Sequence, residues 1–257
     1  MSTLHILADR LRQAEKEKTA IPPLTADHPD LSIDEAYKIQ MINTEKRLAS
    51  GDEVVGKKIG LTSRAMQQLL GVDQPDYGYL FASMHHPLGK KLVWGRLFQP
   101  KVEGEIAFIM RERLKGPGVT EDDVRHATQA VVPAIEIVDS RIQDWQIKLA
   151  DTIADNASSG LFILGEKVRA LDIMDLAEVK MRLYKNGNFV NEGKGSDVLG
   201  HPLKSVAWLA NFLGRYGVAL EKDEIVLSGA ISAAVSCVPG DIIQIEFLDW
   251  ESLSLQC

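Results

Sequence analysis

The chain has 257 residues, of which 45% are hydrophobic and 25% charged, so it can bury the core of one domain and is not expected to be largely disordered. Its 29 basic and 36 acidic residues give a formal net charge of −7, and the absence of a long Lys/Arg run argues against non-specific binding to nucleic acids or anionic membranes. The two cysteines, Cys237 and Cys257, fit neither a disulfide framework nor a zinc motif, and the N-terminal segment lacks an apolar signal region. We therefore expect a soluble, cytoplasmic protein.

The N-terminal segment is predicted to be helical. Apolar residues recur at helical spacing over residues 3–18, which is typical of an amphipathic helix. A capping box beginning at Ser32 opens a second helix, which should end near Ala49. We therefore expect an N-terminal helical part, residues 1–52, followed by a β-rich catalytic domain, residues 53–257.

The first predicted strand of that domain carries two adjacent lysines. Residues 53–59 have the character of a strand, in which Lys57 and Lys58 lie on opposite faces, so one of them should point inward. An inward lysine beside a substrate carboxylate could bind the anion or transfer protons. The alternative is an ordinary surface lysine. A short helix is expected to follow at residues 64–70.

A loop rich in apolar and aromatic residues is predicted at residues 72–81. Pro75, Asp76 and Gly78 favour turns, whereas the tyrosines, leucine and phenylalanine around them are not needed in a solvated loop. This combination indicates a loop that closes over a pocket. Asp76 is a candidate general acid or base there, and the alternative is a residue that only forms an Asx-turn.

Three glutamates on two predicted strands are the main candidates for a metal site. On the strand at residues 99–110, alternation puts Glu103 and Glu105 on one face, and Glu136 is the only acid in the apolar strand at residues 131–138. Crowded or buried carboxylates are unfavourable unless a cation or a proton offsets their charge. Carboxylates without His or Cys favour Mg²⁺ or Mn²⁺. The alternative is a solvated strand face with Lys–Glu salt bridges.

The remaining segments predict a mixed sheet. Residues 151–159 are small and polar and lead into an apolar strand, and Asn186-Gly187 is typical of a two-residue hairpin turn. Further strands are predicted at residues 160–164, 179–184, 188–191, 224–227 and 242–247, with a helix at 202–213. Because strands and helices do not alternate regularly, a doubly wound parallel sheet is disfavoured. We expect the α+β class, with a mixed, strongly curved β-sheet and peripheral helices.

Seven segments in colinear order resemble the fumarylacetoacetate hydrolase superfamily, and within it the hydratase/decarboxylase branch. They are VVGKKIGLTS (54–63), GVDQPDYGYLF (71–81), QPKVEGEIAFI (99–109), PAIEIVDSRIQDW (133–145), DTIADNASSG (151–160), GKGSDVLGHPL (193–203) and VAWLANFLG (206–214). They are most similar to those of the 2-hydroxypenta-2,4-dienoate hydratases. The C-terminal segment, residues 228–257, departs from the usual glycine-rich pattern, so the far end of the substrate could be bound differently.

This resemblance implies a set of site residues. It implies a β-roll fold, a Mg²⁺ or Mn²⁺ site at Glu103, Glu105 and Glu136, a catalytic Lys58, an acid/base role for Asp76, and substrate-carboxylate contacts from the Leu61 backbone and Ser158. It also implies a ring-shaped homo-oligomer, a pentamer or decamer, and admits an association with a homologous decarboxylase or the downstream aldolase.

The reaction implied by the resemblance is the metal-dependent hydration of 2-hydroxypenta-2,4-dienoate to 4-hydroxy-2-oxopentanoate in the meta-cleavage catabolism of aromatic compounds. Two related activities remain open, which are the decarboxylation of 2-oxo-3-hexenedioate (4-oxalocrotonate) and the hydration of 2-oxohept-4-ene-1,7-dioate. An alternative of another class is a non-catalytic subunit of a decarboxylase complex. The simultaneous presence of Lys58, Asp76 and the three glutamates argues against that alternative.

Overall fold

A computed structural model describes residues 2–63, 67–68 and 71–257. The helices of these ranges are α1 (Thr3–Glu17), α2 (Leu24–Asp27), α3 (Ile33–Ala49), α4 (Glu121–Ala127), α5 (Leu149–Ala154) and α6 (Pro202–Gly214), and short 3₁₀ turns lie between them. The predicted N-terminal helices are confirmed. The hydroxyl of Ser32 accepts a hydrogen bond from the Glu35 backbone N–H, and the Glu35 carboxylate accepts one from the Ser32 backbone N–H. The helix predicted at residues 64–70 falls largely outside the described residues.

The larger sheet is mixed and carries the candidate site. Its strands are β1 (Val54–Gly60), β2 (Asp76–Phe81), β3 (Lys101–Met110), β4 (Thr128–Val138), β5 (Ser159–Leu164), β8 (Ile225–Leu227) and β9 (Val235–Ser236). They run in the order β2-β1-β8-β3-β4-β5, with β9 beside β3. The β1–β8 pair is parallel, and the other pairs are antiparallel. The predicted α+β class with a mixed sheet is confirmed.

A smaller antiparallel sheet packs against the larger one. Its strands are β6 (Lys180–Lys185), β7 (Asn188–Lys194), β10 (Ile242–Phe247) and β11 (Glu251–Gln256), in the order β11-β10-β6-β7. The β6–β7 turn has positive φ at Asn186 and Gly187, as the predicted two-residue turn requires. The two sheets come close at Gly104, where an added Cβ would lie 3.0 Å from side-chain atoms of both Ile245 and Met181. One face of β3 is therefore packed against the smaller sheet, and its other face carries the acids.

Two segments have regular structure that the sequence did not predict. The first is β2, which is buried throughout and pairs with β1 from Gly60 opposite Asp76 to Val54 opposite Phe81. The loop prediction was wrong for residues 76–81, because the alternating aromatic residues favour a strand more than Asp and Gly oppose it. The second is α5, which is buried at every position and covers the first four residues of the small, polar segment at residues 151–159. Its small residues fit against α3 instead of facing solvent.

The N-terminal helices share the hydrophobic core of the sheets. Leu7 and Leu11 of α1 and Ile39 of α3 belong to the same buried cluster as the residues of β3 and β4. The Gln40 side chain donates hydrogen bonds to the backbone carbonyls of Tyr77 in β2 and Ile153 in α5. Helix α3 therefore links the N-terminal part to two segments next to the site. Among the helices of the described ranges, none is both long and apolar enough to cross a bilayer.

Candidate metal centre

Three carboxylates meet on one face of the β3–β4 pair. Glu103 of β3 lies directly opposite Glu136 of β4, and Glu105 lies two residues further along the same face. One carboxylate oxygen from each of the three lies within 4.8 Å of the others. The structure therefore brings together the three glutamates that the sequence predicts as a group.

Three of the six carboxylate oxygens in this cluster lack a hydrogen-bond partner within the described part of the chain. Glu105 and Glu136 are each 1% exposed, and the backbone N–H of Gly229 donates to Glu105 Oε2 at 2.8 Å. Among the described residues, Glu105 Oε1 and both oxygens of Glu136 have no hydrogen-bond partner. Buried carboxylate oxygens without partners are costly unless a cation binds them. Hard oxygen donors without nitrogen or sulfur fit Mg²⁺ or Mn²⁺.

The charges of the cluster are unbalanced without such a cation. Burial and the neighbouring charge of Glu136 raise the pKa of Glu103 to about 7. Burial, Glu136 and Glu103 also raise the pKa of Glu105 well above its usual range. Both shifts show that the site disfavours three negative charges, which a divalent cation would offset. Glu105 and Glu136 are buried and Glu103 is half-buried, unlike the solvated face with surface salt bridges that was the alternative.

The two lysines of β1 are both buried and have different partners. Lys57 Nζ is 2.7 Å from both carboxylate oxygens of Glu224, on the face away from the glutamate cluster. Lys58 is 3% exposed, its Nζ lies 3.3 Å from Glu136 Oε1, and it donates to the Ala157 carbonyl at 3.1 Å. Lys58 is thus not a surface lysine. Burial alone would lower its pKa, but the carboxylates of Glu136 and other nearby acids raise it, so it stays charged.

Asp76 lies at the start of β2, beside the same lysine. It is 1% exposed, and its Oδ1 has no hydrogen-bond partner among the described residues. Burial raises the pKa of Asp76 to about 6, although the charge of Lys58 opposes the shift. An added Cβ at Gly60 would lie 2.2 Å from Asp76 Oδ1 and 3.4 Å from Lys58 Nζ, so both side chains end beside this glycine. The missing side chain at Gly60 makes room for them.

Leu61 and Ser158 lie at the edges of this group. Leu61 directly follows β1 in a left-handed conformation, with φ of 56°, and its carbonyl accepts a hydrogen bond from the side chain of Gln67. Ser158 directly follows Ala157, whose carbonyl contacts Lys58, and its hydroxyl lies 3.2 Å from that of Thr152. Both positions adjoin Lys58 in the chain or in space.

Sequence reasoning missed how the segment before β5 is held. Asp155 is buried and accepts hydrogen bonds from the Arg141 side chain and from the Ser140 hydroxyl. Arg141 also donates to the Ser159 carbonyl, which ties β5 to the segment after β4. Burial raises the pKa of Asp155 to about 6, although the Arg141 guanidinium opposes the shift. The small, polar residues at 155–159 were the signal in the sequence for this buried turn, and no structure was predicted from them.

Comparisons with known proteins agree with this geometry. The sequence profile of the fumarylacetoacetate (FAA) hydrolase C-terminal family matches residues 53–254. A 2-hydroxypent-2,4-dienoate hydratase from Pseudomonas putida is 49% identical over 214 residues, covering 83% of this chain and 96% of that protein. A 2-hydroxyhexa-2,4-dienoate hydratase from Comamonas testosteroni is 46% identical over 234 residues, covering 90% of this chain and 89% of that protein.

A solved structure is similar over almost the whole chain. It is a 4-oxalocrotonate decarboxylase from Pseudomonas putida G7 in complex with magnesium and adipate. It is 36% identical, superimposes with a TM-score of 0.95, and covers 98% of this chain and 96% of its own. Proteins similar to this chain therefore include both hydratases and a magnesium-bound decarboxylase.

Proposed function

The chain belongs to the fumarylacetoacetate hydrolase family, and from that premise we propose that it is a divalent-metal-dependent hydro-lyase acting in aromatic catabolism. Its substrate is 2-hydroxypenta-2,4-dienoate and its product is 4-hydroxy-2-oxopentanoate. The observation that carries the proposal is the cluster of three carboxylates beside Lys58 and Asp76, in which Glu105 and Glu136 are buried and have oxygens without a hydrogen-bond partner. The relative at 49% identity is named for this substrate, and the relative at 46% identity is named as a hydratase of 2-hydroxyhexa-2,4-dienoate.

Glu103, Glu105 and Glu136 would hold the metal ion, which we propose to be Mg²⁺ or Mn²⁺. The oxygens of Glu105 and Glu136 that lack a hydrogen-bond partner, and the raised pKa values of Glu103 and Glu105, are the features that such an ion would offset. When bound, it acts as a Lewis acid that polarises the C2 oxygen of a 2-oxo acid and lowers the energy of an enolate. Three protein ligands leave positions open for substrate oxygens or water.

Lys58 and Asp76 handle protons in this proposal. Lys58 delivers a proton to C5 with the help of Asp76, and the proton that the C2 hydroxyl loses returns to this Lys58–Asp76 pair. The product of this step is a 2-oxo-3-enoate. Water then adds across C3 and C4, with its oxygen at C4 and a proton at C3. A carboxyl with a pKa of about 6 can both accept and donate protons near neutral pH, which suits Asp76 to this role.

The Leu61 backbone and the Ser158 hydroxyl bind the substrate carboxylate in this proposal. Positive φ at Leu61 and at Ser158 places both residues in turns that adjoin Lys58. Conformations of this kind are costly for residues other than glycine and are common at functional sites.

The assembly and location of the protein are also part of the proposal. We propose a helical part at residues 1–52 and a metal-binding domain at 53–257, since the family profile begins at residue 53. We propose a homo-oligomer, a pentamer or decamer, and the exposed side chains of Phe189 and Val190 on β7 provide apolar surface for such contacts. The buried cysteines suit the reducing cytoplasm.

A decarboxylase acting on 4-oxalocrotonate is the second candidate. The observation favouring it is the similar fold of the decarboxylase that binds magnesium and adipate, a dicarboxylate. The hydratases are more similar in sequence, at 46% and 49% identity against 36%. We therefore rank the hydratase first.

The test is product analysis of the purified protein with Mg²⁺ and two substrates, the five-carbon monoacid dienol and the six-carbon diacid. NMR identifies a 4-hydroxy-2-oxo acid, and a coupled assay measures CO₂. We expect hydration of the monoacid and no CO₂ from the diacid. Release of CO₂ with the monoacid untouched would show a decarboxylase. No reaction with either substrate would favour the non-catalytic subunit.

A further inference from the structure

We propose that Asn156 is a positioning residue for Lys58, acting through a strained turn that presents the Ala157 carbonyl to the Lys58 ammonium group. This inference rests on the proposed function, because it assigns a task to a residue that does not itself contact the glutamate cluster. It concerns the turn at residues 156–158, between α5 and β5.

The turn has an unfavourable backbone. Asn156, Ala157 and Ser158 all have positive φ, at 56°, 50° and 52°, and none of them is glycine. The left-handed region brings Cβ too close to the following carbonyl oxygen, and it is visited by single residues far more often than by three in a row. Such a turn persists only where surrounding contacts hold it.

Asn156 provides those contacts on one side. Its Oδ1 accepts a hydrogen bond from the Tyr79 backbone N–H at 2.8 Å, and its Nδ2 donates to the Tyr79 carbonyl at 2.9 Å. Its amide therefore bonds to both backbone groups of one residue in the middle of β2. On the other side, Asp155 and Arg141 tie the turn to the segment after β4.

Gly78 allows the turn to come this close to β2. An added Cβ at position 78 would lie 2.4 Å from the Asn156 carbonyl oxygen and 2.8 Å from Ser159 Oγ. In the sheet, Gly78 is the partner of Lys58, so its missing side chain is on the same face as the Lys58 side chain. The turn therefore covers this face directly beside the lysine.

The consequence is a fixed position for the Lys58 amine. The Ala157 carbonyl accepts a hydrogen bond from Nζ at 3.1 Å, and Glu136 Oε1 lies 3.3 Å from the same atom. These two acceptors fix two of the three N–H directions of the ammonium group, so the direction of the third is defined as well. A lysine side chain has four rotatable bonds, so without the carbonyl its amine would sample other positions. Small displacements of a catalytic group are costly to the rate.

The test compares Asn156→Ala with a matched control, Asn211→Ala. Asn211 makes the same two-point contact elsewhere, since its Oδ1 accepts from the Val119 N–H at 2.9 Å and its Nδ2 donates to the Val119 carbonyl at 2.8 Å. Both substitutions should lower the melting temperature. We expect kcat to fall about tenfold or more for Asn156→Ala only. KM and the Kd for Mn²⁺ should stay within about twofold.

Gly78→Ala tests the same contact from the opposite side. It adds one methyl group against the Asn156 carbonyl and removes no polar group of the turn. We expect the same loss of kcat with unchanged Mn²⁺ affinity. In the double variant Gly78→Ala/Asn156→Ala, the fold loss of kcat should be smaller than the product of the two single losses.

Three outcomes would overturn the inference. Unchanged kcat in Asn156→Ala is one, and an equal loss of kcat in Asn211→Ala is another. A rise in KM with kcat unchanged would show that the turn acts on the substrate through Ser158 and not on Lys58.

A crystal structure of Asn156→Ala gives the same answer without an activity. We expect the Ala157 carbonyl to move away from Lys58 Nζ, and an unmoved carbonyl would overturn the inference. If the wild-type protein fails to hydrate the monoacid, the proposed function fails, while this structural result still decides the role of Asn156.

Discussion

Replacing Glu105 by Gln should stabilise the metal-free protein and abolish its stabilisation by Mg²⁺. The three carboxylates offer oxygens within 4.8 Å of one another. Two unit charges at that separation repel by about 3 kcal/mol at an effective dielectric constant of about 20. Lys58 and partial protonation of Glu103 offset part of this repulsion. We therefore expect Glu105→Gln to raise the free energy of unfolding by about 1–3 kcal/mol. The glutamine oxygen can still accept from the Gly229 N–H.

The pH dependence of this effect follows from the pKa of Glu105, which is raised above its ordinary value of 4.5 in the folded protein. Between the ordinary and the raised value, the folded state binds more protons than the unfolded state, so the stability of the metal-free protein falls as pH rises. The Gln variant lacks that loss. The gain should therefore be near zero at pH 4 and largest at pH 8.

Urea unfolding of both proteins with and without Mg²⁺ measures these effects. With EDTA at pH 8, the variant should be the more stable protein. At Mg²⁺ concentrations of about one hundred times Kd, the wild type gains about 2.7 kcal/mol by mass action and the variant gains little. A variant that is less stable than the wild type in EDTA at both pH values would refute the claim that the three carboxylates repel one another in the metal-free protein.

Three further substitutions separate structural from catalytic positions. Lys57→Met removes the ion-pair partner of the partly exposed Glu224 and should lower the free energy of unfolding by about 1–3 kcal/mol, measured in urea. The kcat per folded molecule should be unchanged, and a loss of kcat would contradict the separate roles of the two lysines. Gly60→Ala places a methyl group against Asp76 and should lower kcat about tenfold or more with Mn²⁺ affinity retained. A normal kcat would show that the space beside Gly60 is not needed for activity. Gly187→Ala forces a residue with a side chain to adopt positive φ in the β6–β7 turn, which is distant in sequence from the site residues. It should lower the free energy of unfolding by about 1 kcal/mol, with unchanged kinetics.

Local sequence patterns predicted the elements that depend on contacts between residues close in sequence. The capping box at Ser32 and the Asn186-Gly187 turn each depend on contacts within a few residues, and both were predicted from the sequence and are present in the structure. The grouping of Glu103 and Glu105 follows from strand alternation alone. Their approach to Glu136 depends on the β3–β4 register, which the resemblance implied and the strand pattern did not fix.

Long-range contacts explain what local patterns could not predict. Residues 76–81 read as a loop because Pro75, Asp76 and Gly78 favour turns, and they form a strand because β1 pairs with them along its whole length. Gly78 is needed for the approach of Asn156, a residue 78 positions later in the chain. In the same way, Lys57 and Lys58 are both buried because each has an acidic partner that is distant in sequence.

The most direct measurement is anomalous diffraction from crystals soaked with Mn²⁺. The account predicts one strong peak per chain among the carboxylates of Glu103, Glu105 and Glu136, and its loss in Glu136→Gln. A peak elsewhere, or none here with Lys58 Nζ moved into the space between the acids, would contradict the metal centre.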